Sequence, residues 1–301
     1  MRTWQWLTVS ILVIIFAFFS YIFLQIRSLE VNQITNDLYV IYGLGGNVAV
    51  LDTDEGTVIV DSMTLTYQGE RIKEKAMALT GKPISLVINT HYHADHTHGN
   101  PAFDPGTRVV ATKRTLHHLQ QTDADYFSGE AAKLMPNETF TDDKEISMGN
   151  KTLRLIHPGR GHTDGDLVVL FVEEKTVHMG DLFFFLHYPN IDLEGGGSVA
   201  NWGDTIERVL GLPFHTVIPG HGIITDRPKL VQYKAFMSQL AEIGERAAAE
   251  NISLEDTLRT TDLTEDRNYE PLNIIVPLGY TREFVLQRAW EEATGSFELR
   301  P

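Results

Sequence analysis

Residues 89–100 constrain this chain more than any other stretch, because they concentrate metal-ligating side chains in one short loop. They contain the pattern His-x-His-x-Asp-His directly after a short apolar run. Neutral imidazole and carboxylate are the ligands that borderline metals such as zinc prefer. In a turn at the end of a strand, His91 and His93 can point one way while Asp95 and His96 point to an adjacent position. The pattern therefore predicts a loop that serves two metal ions.

Three further residues of ligand type follow later in the chain, and each of them lies beside glycine at a turn. They are His162, Asp181 and His221. Asp181 follows the apolar run 176–179, and His221 follows the run 216–218. Short apolar strands that end in ligand-bearing loops place a site at one rim of a sheet assembly. A polar surface loop that chelates metals by chance is the alternative, and the downstream ligands weigh against it.

With these motifs the chain resembles the metallo-β-lactamase-fold hydrolase superfamily over about residues 36–225. The resemblance implies two zinc ions per chain, with iron or manganese as alternatives. The ligand set that it implies is His91, His93 and His162 for the first ion, Asp95, His96 and His221 for the second, and Asp181 as the carboxylate that bridges them.

The same resemblance implies hydrolysis by a metal-bound hydroxide. A divalent cation lowers the pKa of a bound water from near 16 to about 7. The hydroxide would attack an ester, thioester, lactone or lactam carbonyl, with Asp95 as the catalytic residue that orients the nucleophile and carries its proton. The carboxylate at Asp181 is similar to that of hydroxyacylglutathione hydrolases and lactonases. In β-lactamases proper, that position usually holds a cysteine or a residue that binds no metal.

Two other classes of function fit part of this pattern. A mononuclear iron dioxygenase of the persulfide type shares the fold and most of the ligands. A membrane-tethered metal-binding or sensory module would keep the ligands without turnover. Iron with oxygen consumption distinguishes the dioxygenase from a hydrolase with two zinc ions, and an activity panel distinguishes the sensory module.

The charge and cysteine content of the chain exclude several chemistries. The formal net charge is −15, which argues against a nucleic-acid partner because phosphate binding needs clustered lysine and arginine. A small molecule is therefore the expected substrate. The chain has no cysteine, so neither a disulfide nor a thiolate ligand or nucleophile is available.

Residues 1–27 are predicted to be a transmembrane anchor. From residue 7 to residue 24 there is no charge, and a helix of that length spans roughly 27 Å, about the thickness of a bilayer core. Trp4 and Trp6 precede this stretch and Tyr21 lies near its end, as expected of interfacial belts. A cleaved signal peptide and a buried core helix are the alternatives, but no small-x-small cleavage site follows.

The charges around this stretch give a weak indication of orientation. Arg2 and the terminal amine precede it, whereas Arg27 and Glu30 follow it. The excess of positive charge favours an amino end in the cytoplasm. The lipid bilayer would then be a partner of the helix, with the catalytic domain outside the cytoplasm, either periplasmic or extracellular. Residues 28–35 are predicted to be a polar tether.

The apolar runs between these features predict a mixed α/β fold, and the resemblance implies an αββα sandwich. Residues 36–225 would form the catalytic domain and residues 226–301 a helical region packed on it. Strands are predicted at 38–42, 47–51, 57–61, 84–88, 108–111, 152–156, 167–172, 176–179 and 216–218. Helices are predicted at 67–79, 112–121, 202–210, 228–250 and 281–293. The segment 122–143 is acidic and irregular apart from a predicted short helix at 129–134, and it is a candidate rim or lid.

Four residues outside the ligand set are candidates for supporting roles. Asp61 ends a predicted strand and is either a turn residue or a carboxylate that orients one metal-bound histidine. His98 either lines the site or supports Asp95. The aromatic run that precedes His187 and Tyr188 is either core or the apolar wall of a pocket, with one of these two residues as a polar handle.

Overall fold

A computed structural model of the chain describes residues 3–272 and 279–297, without the side chains of residues 3–9 and Gln25. The strands are β1 (Glu30–Gln33), β2 (Leu38–Tyr42), β3 (Val48–Thr53), β4 (Gly56–Val60), β5 (Ile84–Ile88), β6 (Arg108–Thr112), β7 (Glu138–Phe140), β8 (Asp143–Met148), β9 (Lys151–Ile156), β10 (Val168–Phe171), β11 (Thr176–His178), β12 (Thr216–Ile218) and β13 (Thr225–Asp226). The α-helices are α1 (Thr3–Arg27), α2 (Thr66–Thr80), α3 (Ala94–Thr97), α4 (Lys113–Thr122), α5 (Val199–Leu210), α6 (Arg227–Glu250), α7 (Leu254–Thr260) and α8 (Arg282–Thr294).

Two sheets contain these strands. The first sheet has the order β1-β2-β3-β4-β5-β6-β7, and the second has the order β13-β12-β11-β10-β9-β8. In the first sheet β4, β5, β6 and β7 run parallel, and in the second β11 and β12 run parallel. Parallel neighbours end at the same edge of a sheet, so loops that follow them lie side by side.

The layers run helix, sheet, sheet, helix. Apolar side chains of both sheets form one core between them, including Val60 and Ile88 from the first sheet and Leu155 and Val169 from the second. The helix α2 covers the outer face of the first sheet, and α5, α6 and α8 cover the outer face of the second. The predicted mixed α/β fold with two sheets and flanking helices is confirmed.

Several elements differ from the prediction because pairing between strands overrides weak local signals. Residues 28–35, predicted to be a tether, contain β1, which pairs antiparallel with β2 at the edge of the first sheet. The segment 122–143, predicted to be irregular apart from a short helix at residues 129–134, also contains β7, while the short helix is present as a 3₁₀ helix at Gly129–Leu134. The strand β8 has no clear alternation of apolar residues and was not predicted. It pairs with β9 over its full length.

The carboxyl-terminal helices pack on the second sheet, although a domain boundary at residue 225 stays a prediction. Helix α6 begins where the sequence predicts it, because the side chain of Asp226 accepts a hydrogen bond from the Lys229 backbone and Pro228 lies in the first turn. The rings of Trp202 on α5 and Tyr233 on α6 are both fully buried. Burying such a ring stabilises the fold by roughly 1.5–3 kcal/mol relative to leaving it exposed.

The amino-terminal stretch forms the helix α1, but the membrane prediction is not supported. Within residues 3–272 and 279–297, no helix is both long and apolar enough to cross a membrane. Arg2 and the side chains of Trp4 and Trp6, which entered the prediction, lie outside the described residues. The described side chains of α1 do not join the hydrophobic core, and that of Phe16 is 75% exposed, so α1 is not a buried core helix either.

Deleting residues 1–27 is expected to leave the rest of the fold and its activity intact. None of the predicted metal ligands lies in that span, and the described side chains of α1 add nothing to the three large core clusters. The measurement compares the unfolding midpoint and metal content of the truncated and full chains. A truncated chain that cannot fold would contradict this expectation.

Candidate metal centre

The ligand loop begins where β5 ends, at the edge that β4 and β5 share. The parallel register aligns Val60 with Ile88, so Asp61 and the ligand loop leave the sheet side by side. His91 and His93 lie in the loop itself, and the short helix α3 carries the next two predicted ligands. The residues of the ligand loop, which are close in sequence, thus form a compact turn at the end of the first sheet.

The other three predicted ligands lie at the end of the second sheet. In the parallel pair β11 and β12, His178 is aligned with Ile218. Asp181 and His221 each follow three residues later, so their side chains meet. His162 lies in the loop between β9 and β10. The site therefore forms where the ends of the two sheets come together.

The seven predicted ligands fall into two groups. In each group, the potential ligand atoms all lie within 4.8 Å of one another. We call His91, His93, His162 and Asp181 the first group, and Asp95, His96 and His221 the second group. The division matches the one that the spacing of the loop predicts. Metal binding itself stays a prediction.

Asp181 lies between the two groups. Its Oδ2 lies 3.4 Å from Nε2 of His221 and 3.6 Å from Nε2 of His162. Its Oδ1 lies 3.1 Å from Nε2 of His96. The side chain of Asp181 is only 4% exposed, so its charge is surrounded by imidazole rings. This is the position that a bridging carboxylate requires.

Asp61 orients His96 directly and His91 through the hydroxyl of Thr90. Its Oδ2 lies 2.7 Å from Nδ1 of His96, and it also accepts a hydrogen bond from the Thr90 hydroxyl at 2.8 Å. That hydroxyl lies 3.1 Å from Nδ1 of His91. Because the Thr90 hydroxyl gives its hydrogen to Asp61, it can accept one from His91. Both rings then carry hydrogen on Nδ1 and leave Nε2 free to bind a cation.

The remaining rings of the first group make an unusual contact. Nδ1 of His162 lies 2.8 Å from the carbonyl oxygen of Asn190, and Nε2 of His93 lies 2.9 Å from the Asp192 carboxylate. Each of these contacts requires hydrogen on the outer nitrogen. The inner nitrogens, Nε2 of His162 and Nδ1 of His93, then face each other at 2.8 Å. Two lone pairs approach this closely only if a proton or a cation lies between them.

The unpaired buried atoms of the site also fit a cation. Nε2 of His91, Nε2 of His96 and Oδ1 of Asp181 are buried and make no hydrogen bond, although the last two atoms lie 3.1 Å apart. An unsatisfied buried polar atom costs roughly 1–3 kcal/mol, so three of them in one cluster indicate a missing partner. Imidazole nitrogen and carboxylate oxygen are ligands that suit zinc. The residues present therefore fit two divalent cations.

The two groups hold protons differently. Burial alone would lower the pKa of His221, but the carboxylates of Asp181 and Asp95 raise it to about 9. Burial also opposes the charged form of His96, yet the same two carboxylates raise its pKa well above the usual range. In the first group, burial and a neighbouring imidazole lower the pKa of His162 to about 4. At neutral pH and without a cation, His96 and His221 therefore hold a second proton, whereas the ring of His162 is neutral.

The metal affinity of the second group is expected to fall as the pH is lowered from 9 to 6. His96 and His221 have raised pKa values, so a cation must displace their protons in this range. Each displaced proton weakens binding about tenfold per pH unit. His162 is neutral throughout the range, so the first group should respond less. Zinc titrations of the metal-free protein at four pH values would measure this, and equal slopes for both equivalents would contradict it.

The loop around His221 is held by a residue that the sequence did not single out. The side-chain amide of Asn47 donates to the carbonyl oxygens of Pro219 and Gly222, both at 2.8 Å. Its backbone N–H donates to Gly220 at 2.8 Å. A β-carbon at Gly220 would overlap the Asp181 carboxylate, so only glycine allows this close approach.

The structure places the other candidate residues outside the two groups. Nε2 of His98 lies 3.1 Å from Oδ1 of Asp123, so its ring supports the segment after α4 and not Asp95. The Tyr188 hydroxyl donates to Asp266 at 2.8 Å, and its buried ring packs in the core. His187 is half-buried, and its backbone forms an isolated β-bridge with Glu270 in the carboxyl-terminal region. Asp61 alone among these candidates contacts a predicted ligand.

A cavity of about 590 Å³ adjoins the second group through His221. Its described lining includes the apolar side chains of Leu44, Ile223 and Leu272 and the carboxylate of Glu30. Neither His187 nor Tyr188 is among the described lining residues. The described wall of this cavity is formed by residues of β1, the β2–β3 turn, the His221 loop and the carboxyl-terminal region.

Comparison with known proteins identifies the class. Residues 41–221, more than half of the 301 residues, match the Metallo-beta-lactamase superfamily. The chain therefore belongs to this superfamily, as its motifs predict. A relative, the metallo-beta-lactamase type 2 of Bacillus sp. (strain 170), is 26% identical over 215 residues, which cover 68% of this chain and 80% of that protein.

Solved structures share the fold. The metallo-beta-lactamase from Pontibacter korlensis has a TM-score of 0.61 at 22% identity and covers 70% of this chain and 99% of its own. A double mutant of the sec-alkyl sulfatase PisA1 has a TM-score of 0.71 at 15% identity and covers 89% of this chain and 51% of its own. At these identities the likeness shows the fold alone.

Proposed function

We propose that this chain is a hydrolase that binds two zinc ions and cleaves an ester, thioester, lactone or lactam. The observation that carries the proposal is the convergence of seven ligand-type side chains from both sheets into two adjoining groups. The buried atoms without partners and the facing lone pairs of His93 and His162 support it. When bound, divalent cations supply Lewis acidity and lower the pKa of a coordinated water to about 7.

Asp95 is the ligand best placed to handle the proton of the attacking water. Its side chain is 25% exposed, whereas that of Asp181 is 4% exposed. One of its oxygens lies 3.2 Å from Nε2 of His221, at the side of the adjoining cavity. A carboxylate in this position can accept a hydrogen bond from water and carry a proton away. Asp181 is enclosed, and its expected role is to hold both cations.

The cavity beside His221 is the expected position of the substrate. Its volume of about 590 Å³ suits a small molecule, and Leu44 and Ile223 offer apolar contact. Placing the scissile carbonyl near His221 would bring it next to Asp95. The acidic surface of the chain, with a net charge of −15, favours neutral or cationic substrates over polyanions.

The test is metal analysis combined with a panel of substrates on the full chain. The panel contains a chromogenic ester, a thioester, a lactone and a cephalosporin, with a secondary alkyl sulfate because one structural neighbour is named a sec-alkyl sulfatase. Two zinc ions and turnover of a carbonyl substrate are the expected results. Iron with oxygen consumption would instead establish the dioxygenase, and bound metal without any turnover would establish a binding or sensory module.

A location of the catalytic domain outside the cytoplasm stays a proposal. Fractionation of cells that express the tagged chain would test it. Recovery of the chain in the cytoplasmic fraction would contradict it.

A further inference from the structure

Asp192 lies beyond the ring of His93, on the side away from the first group. One of its oxygens, Oδ2, lies 2.9 Å from Nε2 of His93, and the Tyr92 hydroxyl donates to the same oxygen. Its other oxygen, Oδ1, accepts a hydrogen bond from the Gly195 backbone at 2.8 Å. Three donors thus converge on one carboxylate, which is only 13% exposed.

The tyrosine that shares this carboxylate is itself held in place. The ring of Tyr92 stacks on the ring of His118, with centroids 4.6 Å apart and an interplanar angle of 26°. Nε2 of His118 lies 2.8 Å from Oδ1 of Asp164, and Arg114 donates to the other oxygen of Asp164 at 2.6 Å. The packing fixes the position of the Tyr92 hydroxyl, and the hydroxyl fixes one oxygen of Asp192.

We propose that Asp192, held by Tyr92, is a positioning residue that sets the tautomer and ring orientation of His93. By accepting hydrogen from Nε2, Asp192 leaves Nδ1 of His93 without hydrogen. Nδ1 is the atom that faces His162 across the first group, at 2.8 Å. His93 is unlike His91, His96 and His162 in this respect, because each of those rings turns Nε2 inward. The inference rests on the proposed function only in that the first group binds a cation.

The substitution Asp192→Asn separates the charge of this residue from its shape. Asparagine has one acceptor oxygen where Asp192 has two. If the side-chain NH₂ of the asparagine faces the backbone N–H of Gly195, two hydrogen-bond donors oppose each other. If the NH₂ faces His93 instead, Nε2 of His93 must accept a hydrogen bond and so carries no hydrogen. The hydrogen of the ring then lies on Nδ1 and blocks the atom that must bind the cation. The second arrangement disfavours a cation in the first group directly, and the first weakens the hold on the ring of His93 because the side chain loses its contact with Gly195.

Zinc affinity of the full chain is the primary measurement, by competition with a chromophoric chelator. It is repeated on the His221→Ala background, in which the first group alone is complete. Asp192→Asn is expected to weaken zinc in the first group by about 10–100-fold, as loss of a ligand-orienting contact typically does. Tyr92→Phe, which keeps the ring stack, is expected to weaken it by about threefold to tenfold.

Two further readouts separate positioning from a general loss of stability. The visible spectrum of the cobalt(II)-substituted first group should change in Asp192→Asn, because the orientation of one ligand changes. The double variant of Tyr92→Phe and Asp192→Asn should bind zinc no more weakly than Asp192→Asn alone, since Tyr92 acts through Asp192. If Asp192→Asn does not fold, Tyr92→Phe and its spectrum provide the test.

The chain contains a matched control on the same loop. His98 pairs with Asp123 at 3.1 Å and is stacked by Tyr126 at 3.7 Å, but it belongs to neither metal group. Asp123→Asn should leave zinc affinity and the cobalt spectrum unchanged. Wild-type zinc affinity and spectrum in Asp192→Asn would overturn this inference and leave the proposed function standing. An equal loss of zinc affinity in Asp123→Asn would do the same. A wild-type chain that binds no cation would overturn the proposed function.

Discussion

Replacing His91 or His96 with alanine is expected to lower hydrolysis by about 100-fold or more, because each removes a ligand from a different group. His91 belongs to the first group and His96 to the second. Both rings are buried, so neither substitution can be compensated by a side chain that swings in from solvent. Turnover and bound zinc are measured under metal-limited conditions with the unfolding midpoint of each variant.

A histidine of the same loop provides the control for these two variants. His98→Ala removes an imidazole that contacts Asp123 and lies outside both groups. It should bind zinc and turn over substrate as the wild type does. Near-normal turnover in His91→Ala or His96→Ala would contradict the assignment of two metal groups.

The second large effect is expected for Asp181→Asn, which keeps the shape of the side chain and removes its charge. Burial disfavours the charged form of Asp181, but the surrounding imidazoles hold its pKa well below the usual range. A carboxylate between two cations offsets their repulsion, which is strong at the separation of about 3.5–4 Å typical of two-metal sites. The variant should bind about one equivalent of zinc and lose most of its activity, with partial recovery in excess zinc.

The second group should lose its cation first, for two reasons. It has two imidazoles where the first group has three, and its histidines hold protons that compete with the metal. Glu174→Gln is a matched control, because the side chain of Glu174 is also 4% exposed and pairs with Lys151 away from both groups. Two tightly bound zinc ions and unchanged turnover in Asp181→Asn would show that Asp181 is only a structural residue.

The ligand loop could be predicted from the sequence because its information is local. His91, His93, Asp95 and His96 lie within six residues, and a turn at the end of a strand can direct the first two and the last two to adjacent positions. The apolar runs that precede Asp181 and His221 also predicted strands, and the parallel pairing of β11 and β12 brings these two residues together. The pattern of the ligand loop and the pairing of β11 with β12 thus point to the same site.

Asp61, which contacts His96, was a candidate from its position at the end of a predicted strand. Asp192 and Asn47 could not be predicted, because their contacts are distant in the chain. Asp192 reaches His93 across 99 residues, and Asn47 reaches Pro219 across 172 residues. Asp192 lies in a loop without periodicity, and Asn47 begins a predicted strand, where no spacing rule assigns it a contact with a distant loop. Only the turn signal beside Asn47, a pair of glycines, marks that position as special. The strands β1 and β8 were missed for a related reason, since their pairing with neighbours decides their conformation.

The ligands of both groups come from the ends of two sheets that share no strand. A cation bound there would link the two sheets, and its binding free energy would add to the free energy of unfolding. At a hundred times the dissociation constant, a bound ion adds about 2.7 kcal/mol to the stability of a protein. A chelator should therefore lower the melting temperature of this chain as well as its activity, and its lifetime in a cell would follow the supply of zinc.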